Sequence, residues 1–337
     1  MDMTYPSRRE FIRAGSGVAI GLIGAGGSAA QDVPGQRRPA GGTASAGQAR
    51  EAVEPELAGV RVAAAKRAAS PRRGGLKVSL AAYSFRKYLP RGNRPGEMTL
   101  EDLVDKACEW AIDGVELTSY YFTRTDRDAL HRLKRRAHVL GLDVSGTAVG
   151  NNFCMPAGPE RDRQLANVRQ WIDNAVELAA PMVRIFAGRP YRGASREQAF
   201  AWYVDTLKQA ADYAARRGVL LALENHGYLT ETADAVLAIL EAVGSPWVGL
   251  NLDTGNFRDK PYENIAKAAP HAINCHIKVQ MRDAEGRRVP ADLQRVVETL
   301  YEHGYRGYIS LEYEAAEDPL TAVPRYLATL LRLTGRA

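Results

Sequence analysis

From Leu76 onward, short aliphatic or β-branched runs alternate with amphipathic stretches whose apolar positions recur every three to four residues. The short runs predict strands over residues 77–85, 114–120, 143–149, 182–187, 219–225, 248–253, 273–279 and 308–313. The helical period predicts helices near 99–111, 126–140, 160–180, 195–217, 232–243, 262–269, 292–303 and 319–333. Gly141, Gly218 and Gly304 each close a helical stretch just before a strand, where a left-handed residue ends a helix. Eight strand–helix units in unbroken alternation predict an α/β fold, a (β/α)8 TIM barrel over residues 76–337. A doubly wound open sheet would call for a Gly-x-Gly-x-x-Gly turn after the first strand. The chain has Tyr83-Ser84-Phe85-Arg86 there.

The beginning of the chain follows another pattern. Ser7-Arg8-Arg9-Glu10-Phe11-Ile12 resembles a twin-arginine export signal, and a mildly apolar, glycine-rich stretch follows from Gly15 to Gly27. That stretch is too short and too rich in glycine to span a bilayer. Ser28-Ala29-Ala30 offers the small residues that a signal peptidase reads, which places the cut after Ala30. Residues 1–30 are therefore expected to be a signal, with export to the periplasm or beyond and contact with the membrane only along that route. Such signals carry folded cargo, so a metal would be loaded in the cytoplasm, away from copper and zinc that would compete by raw affinity for a manganese or cobalt site. Residues 31–75, rich in Ala, Gly, Pro and Arg without a sustained apolar period, predict a disordered linker, with room for a short helix near 56–69.

Charge adds one exclusion. The formal net charge is +6, but 11 of the 45 Lys/Arg and 6 of the 39 Asp/Glu lie in residues 1–75, leaving 34 basic against 33 acidic residues in the barrel. No basic stripe suited to nucleic acid is present in that part. The three cysteines, Cys108, Cys154 and Cys275, are too few and too scattered for a disulfide framework, and no Cys-x-x-Cys exists to build a zinc ribbon.

The candidate chemistry lies where predicted strands end. Active sites of such barrels are built at the C-terminal ends of the strands, and a charge inside a buried parallel strand is otherwise costly. The fifth strand reads Leu221-Ala222-Leu223-Glu224-Asn225-His226-Gly227 and the sixth Gly249-Leu250-Asn251-Leu252-Asp253-Thr254-Gly255-Asn256. The seventh reads Asn274-Cys275-His276-Ile277-Lys278 and the eighth Ile309-Ser310-Leu311-Glu312-Tyr313-Glu314. Alternation sends Leu223 and Leu252 toward the helices and turns Glu224 and Asp253 into the barrel. Cys275, beside His276, points away from the site. Carboxylates converging on one axis repel each other, and a cation resolves this. Glu224, Asp253, His276 and Glu312 offer oxygen donors and one imidazole, a set suited to Mn2+, Co2+, Fe2+ or Mg2+ more than to Zn2+.

These runs, with Gly304-Tyr305 ahead of the last strand and Gly114-Val115-Glu116-Leu117 on the second, resemble the xylose isomerase-like barrel superfamily. Within it they are similar to the sugar phosphate isomerase/epimerase group, which includes ketose 3-epimerases and inosose dehydratases. The likeness spans residues 76–337 and is strongest over strands five to eight. It implies that Glu224, Asp253, His276 and Glu312 hold one divalent metal ion. It also implies that Glu224 and Glu312 face opposite sides of a sugar carbon, one removing a proton beside a carbonyl and the other returning one through an enediolate. His226 would bind a substrate hydroxyl, and Lys278 would stabilise an oxyanion or assist a leaving group. Glu116 and Arg184 would contact substrate. The partner implied is a small carbohydrate, and the leader argues for one without phosphate. Because such barrels often pair, a homo-oligomer is a further expectation. The sequence departs from the group after the seventh strand: Val279-Gln280-Met281-Arg282 lacks the acidic residue that usually follows the lysine, and a Gly-x-Gly before the next helix is missing.

Other readings of the same residues stand beside this one. The same machinery could expel a β-substituent and act as a lyase or dehydratase on a keto-sugar or keto-glycoside. Glu224 could be a structural carboxylate paired with Arg184. A nuclease on this barrel would need a histidine-rich multi-zinc cluster, and the chain has Asn256 where a further histidine would stand. A non-catalytic sugar-binding barrel would be marked by broken ligand positions, and all four are intact. The remaining histidines, His131, His138, His271 and His303, fall on helices or loops away from strand ends.

Overall fold

The structure, a computed structural model, describes residues 75–335. The signal expected over residues 1–30 and nearly all of the linker expected over 31–75 lie outside the described residues. Eight parallel strands close into a barrel: β1 (Lys77–Ala81), β2 (Gly114–Thr118), β3 (Asp143–Ala148), β4 (Met182–Ile185), β5 (Leu220–Glu224), β6 (Val248–Asp253), β7 (Ala272–Ile277) and, last in the chain, β10 (Tyr308–Leu311). Pairing runs in chain order, and β1 closes on β10 with Ser79 opposite Ser310. A small antiparallel hairpin, β8 (Gln280–Arg282) with β9 (Arg288–Pro290), stands outside the barrel in the segment after β7.

The helices are α1 (Leu100–Glu109), α2 (Arg127–Val139), α3 (Pro159–Leu178), α4 (Arg196–Arg217), α5 (Ala233–Val243), α6 (Pro261–Ala268), α7 (Leu293–Glu302) and α8 (Pro319–Leu333). Their starts carry local signals. Thr99 with Asp102 and Ser195 with Gln198 form reciprocal capping boxes, and Asp126, Thr232 and Asp292 cap three more helices through side-chain oxygens. Gly218 ends α4 at φ 69°, a conformation that costs a side-chain-bearing residue energy. Among the described residues, no helix is long and apolar enough to cross a membrane.

The strands sort their residues by alternation. Val78, Leu80, Val115, Leu117, Leu221, Leu223, Leu250, Leu252, Ile309 and Leu311 join one buried apolar layer with the inward faces of the helices. Cys275 lies in that layer, away from the barrel axis. The other face lines the barrel interior, and it is polar. Ser79 and Ser145 hydrogen-bond at 2.6 Å, and further along the axis Asn251, Asn274 and Glu116 join by side-chain hydrogen bonds. The barrel therefore holds a small polar plug beneath its C-terminal end, where a fully apolar interior could not orient charged side chains.

Several predicted strands are shorter than expected, and each shortening has a visible cause. After Ala81 the chain turns into a 3-10 helix over Ala82–Phe85. Ser84 Oγ, buried there, donates to the Leu311 carbonyl at 3.0 Å and accepts from the Tyr313 amide at 2.9 Å. That clamp satisfies the backbone on both sides of Glu312, whose own amide donates to the Ile277 carbonyl at 3.0 Å, so Glu312 is held in place just past the last residue of β10. The run predicted over 273–279 ends at Ile277 because the chain moves on into the β8–β9 hairpin.

Candidate active site

The C-terminal ends of β5, β6, β7 and β10 gather Glu224, Asp253, His276 and Glu312, as the strand spacing led one to expect. All four side chains are buried. One ligand atom each from Glu224, Asp253 and His276 lie within 4.8 Å of one another, a grouping compact enough for one ion. Glu312 stands beside this group, not within it. Its Oε2 is 3.4 Å from His276 Nδ1 and 2.5 Å from Lys278 Nζ.

Lys278 is the cation of this cluster. Its ammonium group contacts Asp253 Oδ2 at 3.3 Å, Glu312 Oε2 at 2.5 Å, and Glu314. Burial opposes its charge, but Asp253, Glu312 and Glu314 outweigh that and hold its pKa well above the usual lysine value. Arg184, on β4, supplies the second cation. Its Nε lies 3.1 Å from Glu224 Oε2, and its guanidinium stacks on the Phe186 ring at 3.9 Å. The pairing of Glu224 with Arg184 and its convergence with Asp253 and His276 thus occur together.

His276 is oriented from behind. Its Nε2 is 2.8 and 2.9 Å from the two oxygens of Glu116, which leaves Nδ1 on the side of Glu224 and Glu312. A carboxylate behind an imidazole in this way sets its tautomer and raises its basicity toward a metal. Glu116 is therefore corrected from a substrate contact to a positioning residue. It is fully buried, and its carboxylate is taken up by His276 and by Asn274 Nδ2 at 2.9 Å. Asn274 also donates to Asn251 Oδ1 at 2.7 Å, and Asn251 Nδ2 lies 3.1 Å from Glu224 Oε2 and 3.2 Å from His276 Nδ1. Asn225 fixes β6 against β5 by accepting from the Asp253 amide at 2.7 Å and donating to the Asp253 carbonyl at 2.9 Å.

None of these asparagines was singled out from the sequence, and neither was Glu314. The signal for two of them was present. Asn251 lies two residues before Asp253 and Asn274 two before His276, so strand alternation puts them on the same inward face. His226 follows β5 and Lys278 follows β7. Both line an open cleft of about 240 Å³ above the cluster, along with Gly255, Asn256, Gln280 and Glu314. The His226 ring is exposed and packs against Phe186 at 4.8 Å, and Asn256 Nδ2 reaches Glu224 Oε1 at 3.3 Å.

The donor set fits a divalent cation. Asp253 Oδ2 is buried and, although the Lys278 ammonium lies 3.3 Å away, makes no hydrogen bond of good geometry. Burial pushes the Asp253 carboxyl up to about 7, against the pull of Lys278. Glu312 goes the other way: burial would raise it, but Lys278 and His276 hold it well below the usual carboxylate range. Burial also opposes charge on His276, and Glu116 and Glu312 outweigh it and hold the imidazole well above its ordinary pKa. The Asp253 carboxyl and the His276 imidazole are thus the groups at which a divalent ion would displace a proton.

A family model described as the xylose isomerase-like TIM barrel matches residues 104–332, most of the barrel just described. The chain belongs to the xylose isomerase-like TIM barrel family. Among curated relatives, this member is 26% identical over 262 residues to an L-ribulose-5-phosphate 3-epimerase of Salmonella heidelberg, covering 72% of this chain and 90% of that one. Among solved structures, its barrel matches that of a D-psicose 3-epimerase obtained in the presence of D-fructose, with a TM-score of 0.63 at 14% identity over 77% of this chain and 100% of that one. A xylose isomerase-like TIM barrel protein from Mycobacterium smegmatis, in complex with magnesium, matches with a TM-score of 0.60 at 18% identity, covering 77% of this chain and 98% of that one. The two structural matches bear on the fold.

The protonation pattern makes a prediction for metal binding. Asp253 binds a proton below about 7, and an incoming ion must displace it, so Mn2+ affinity measured by calorimetry rises as pH climbs through about 7. Proton release into buffer accompanies binding on the acid side of that range. Glu116→Gln, which loses the anionic partner of His276, weakens Mn2+ binding by roughly 10–100-fold. An affinity that does not change with pH, with no proton release, would contradict this account of the cluster.

Proposed function

We propose that this member of the family is a metal-dependent epimerase or isomerase of an unphosphorylated keto-sugar, exported by the twin-arginine route. The observation that carries the catalytic part is the convergence of Glu224 and Glu312 with Asp253 and His276, next to an open, polar cleft that Lys278 and Asn256 line. The 3-epimerase relative supports a reaction of the same class. The absence of phosphate is read from the leader alone, since free phosphosugars are chiefly cytoplasmic.

Glu224, Asp253 and His276 would hold the ion, with Glu312 beside them as the fourth donor. When bound, the metal supplies a Lewis acid for a carbonyl oxygen and its neighbouring hydroxyl, easing the negative charge that develops there. The chain's own residues account for the proton transfers. Glu312, held ionised by Lys278 and His276, takes the proton from the carbon beside the carbonyl. The C–H electron pair becomes the carbon–carbon double bond of an enediolate, and the carbonyl pair moves onto oxygen. For inversion Glu224 must enter the step as the carboxylic acid and return its proton to the opposite face; between turnovers solvent takes the proton from Glu312 and reprotonates Glu224. In the reverse direction the two exchange roles. Lys278 keeps Glu312 in place, and Arg184 does the same for Glu224. His226 and Asn256, at the wall of the cleft, are placed to bind sugar hydroxyls.

Incubating the full chain with Mn2+ and neutral ketoses in D2O tests this directly. Deuterium enters the carbon beside the carbonyl and the epimer accumulates. Glu312→Gln and Glu224→Gln each lower that rate by about 10²–10⁴-fold. Metal-independent exchange, or variants as active as the parent, would refute the mechanism. An unsaturated product in place of an epimer would assign the same proton abstraction to a lyase.

Export has its own test. With Arg8 and Arg9 both changed to Lys, the protein is expected to stay in the cytoplasmic fraction while the parent reaches the periplasm. Equal export of both would remove the leader as a ground for excluding phosphosugars.

A further inference from the structure

The segment after β7 carries unpaired basic residues. Arg282 and Arg288 stand directly opposite each other across the β8–β9 hairpin. Cross-strand partners share one face, and two like charges there destabilise the pair unless something anionic lies between or beside them. The acids of the turn do not serve that purpose. Asp283 and Glu285 both bind Arg287, which leads away at the hairpin tip. Arg282 reaches only a backbone oxygen, that of Gly286, at 2.6 Å. Arg258, in the segment between β6 and α6, adds a third guanidinium to the same wall of the cleft. Among the described residues, none of the three makes an ion pair, and Glu314, the one acid lining the cleft, is already bound to Lys278.

We infer that this chain acts on a keto-sugar whose far end carries an anionic group, a carboxylate or a phosphate, held by Arg258, Arg282 and Arg288. The inference rests on the sugar epimerase reading for the reacting end of the substrate, and it extends that reading to the other end. The layout separates the two electrostatically. The hairpin wall presents guanidinium groups without an ion pair, while Lys278 and Arg184, the cations at the strand ends, are already engaged by carboxylates. An anionic terminus therefore has one favourable orientation, and that orientation sends the opposite end of the sugar toward the carboxylate cluster at the strand ends. The cleft, at about 240 Å³, is smaller than the usual drug-sized pocket and is on the scale of a single sugar unit. A carboxylate agrees with an exported enzyme of unphosphorylated sugars. A phosphate would leave the site reading intact and remove that restriction.

Three polyols that differ only at one terminus test the inference without turnover. Glucitol is neutral, gluconate carries a carboxylate at C1, and glucitol 1-phosphate carries a phosphate at the same end. Calorimetry on the full chain with Mn2+ is expected to show at least tenfold tighter binding of one or both anions than of glucitol, weakening as salt is raised. In R258Q/R288Q that preference falls to near unity. The stronger of the two anions identifies the group. Equal binding of all three polyols, or a preference that survives the double substitution, would overturn the inference. Deuterium exchange with neutral D-fructose in the same preparation separates this from the reading beneath it. Exchange without anion preference removes only the anionic terminus. Anion preference without exchange on any keto-sugar, anionic ones included, removes the epimerase and leaves an anion-binding cleft.

Discussion

The site depends on keeping several carboxylates buried together. Glu116, Glu224, Asp253 and Glu312 all sit at the end of one barrel, away from water. Isolated buried charges of like sign cannot persist; they must be neutralised by protons, by basic side chains or by a metal. The chain uses the first two means and leaves a place for the third. Arg184 takes one side of Glu224, Lys278 bridges Asp253, Glu312 and Glu314, and His276 lies between Glu116 and the rest. Asp253 Oδ2, buried and 3.3 Å from Lys278 but without a hydrogen bond of good geometry, marks where this internal compensation is weakest.

The fold supplies the rigidity that such an arrangement needs. Leucine, isoleucine and valine on the outer faces of the strands bind them to the helices, so the inner faces are free to be polar. Asn251 and Asn274 occupy the level just beneath the acids and tie β5, β6, β7 and β2 together through side chains. Register shifts on β2, between Val115 and Glu116, and on β6, between Leu250 and Asn251, fall at positions that feed this network. A bulge re-aims the side chains that follow it, which places both irregularities where orientation matters most. Above the network, the Ser84 clamp fixes the backbone around Glu312 after β10 has ended.

Much of this could be read from the residues themselves. Apolar alternation located every barrel strand and every helix, because burial on two faces leaves a continuous signal. The ligand candidates on β5, β6 and β7 were legible because a charge in such a run is anomalous. Strand ends were less legible: Ser84 and Tyr313 belong to strand-like runs, and only the long-range hydrogen bonds between their segments show where the ladder stops. Glu116 was legible as an inward carboxylate but not as the partner of His276, since nothing local in β2 points to a residue on β7. The β8–β9 hairpin was missed because its strands have three residues each, too few to show a period. The missing acid after Lys278 was noted; that two arginines of the hairpin stand together beside one cleft became clear only from the pairing of Arg282 with Arg288.

The central claim is that the buried acids form a binding place for one divalent ion, with Lys278 as its stand-in when the ion is absent. Anomalous diffraction from crystals of the protein grown with Mn2+ addresses it most directly. The account predicts a single strong manganese peak bounded by Glu224, Asp253 and His276 Nδ1, with the Lys278 ammonium withdrawn from Asp253. No peak there, or a peak elsewhere with Lys278 still bridging Asp253 and Glu312, would contradict it.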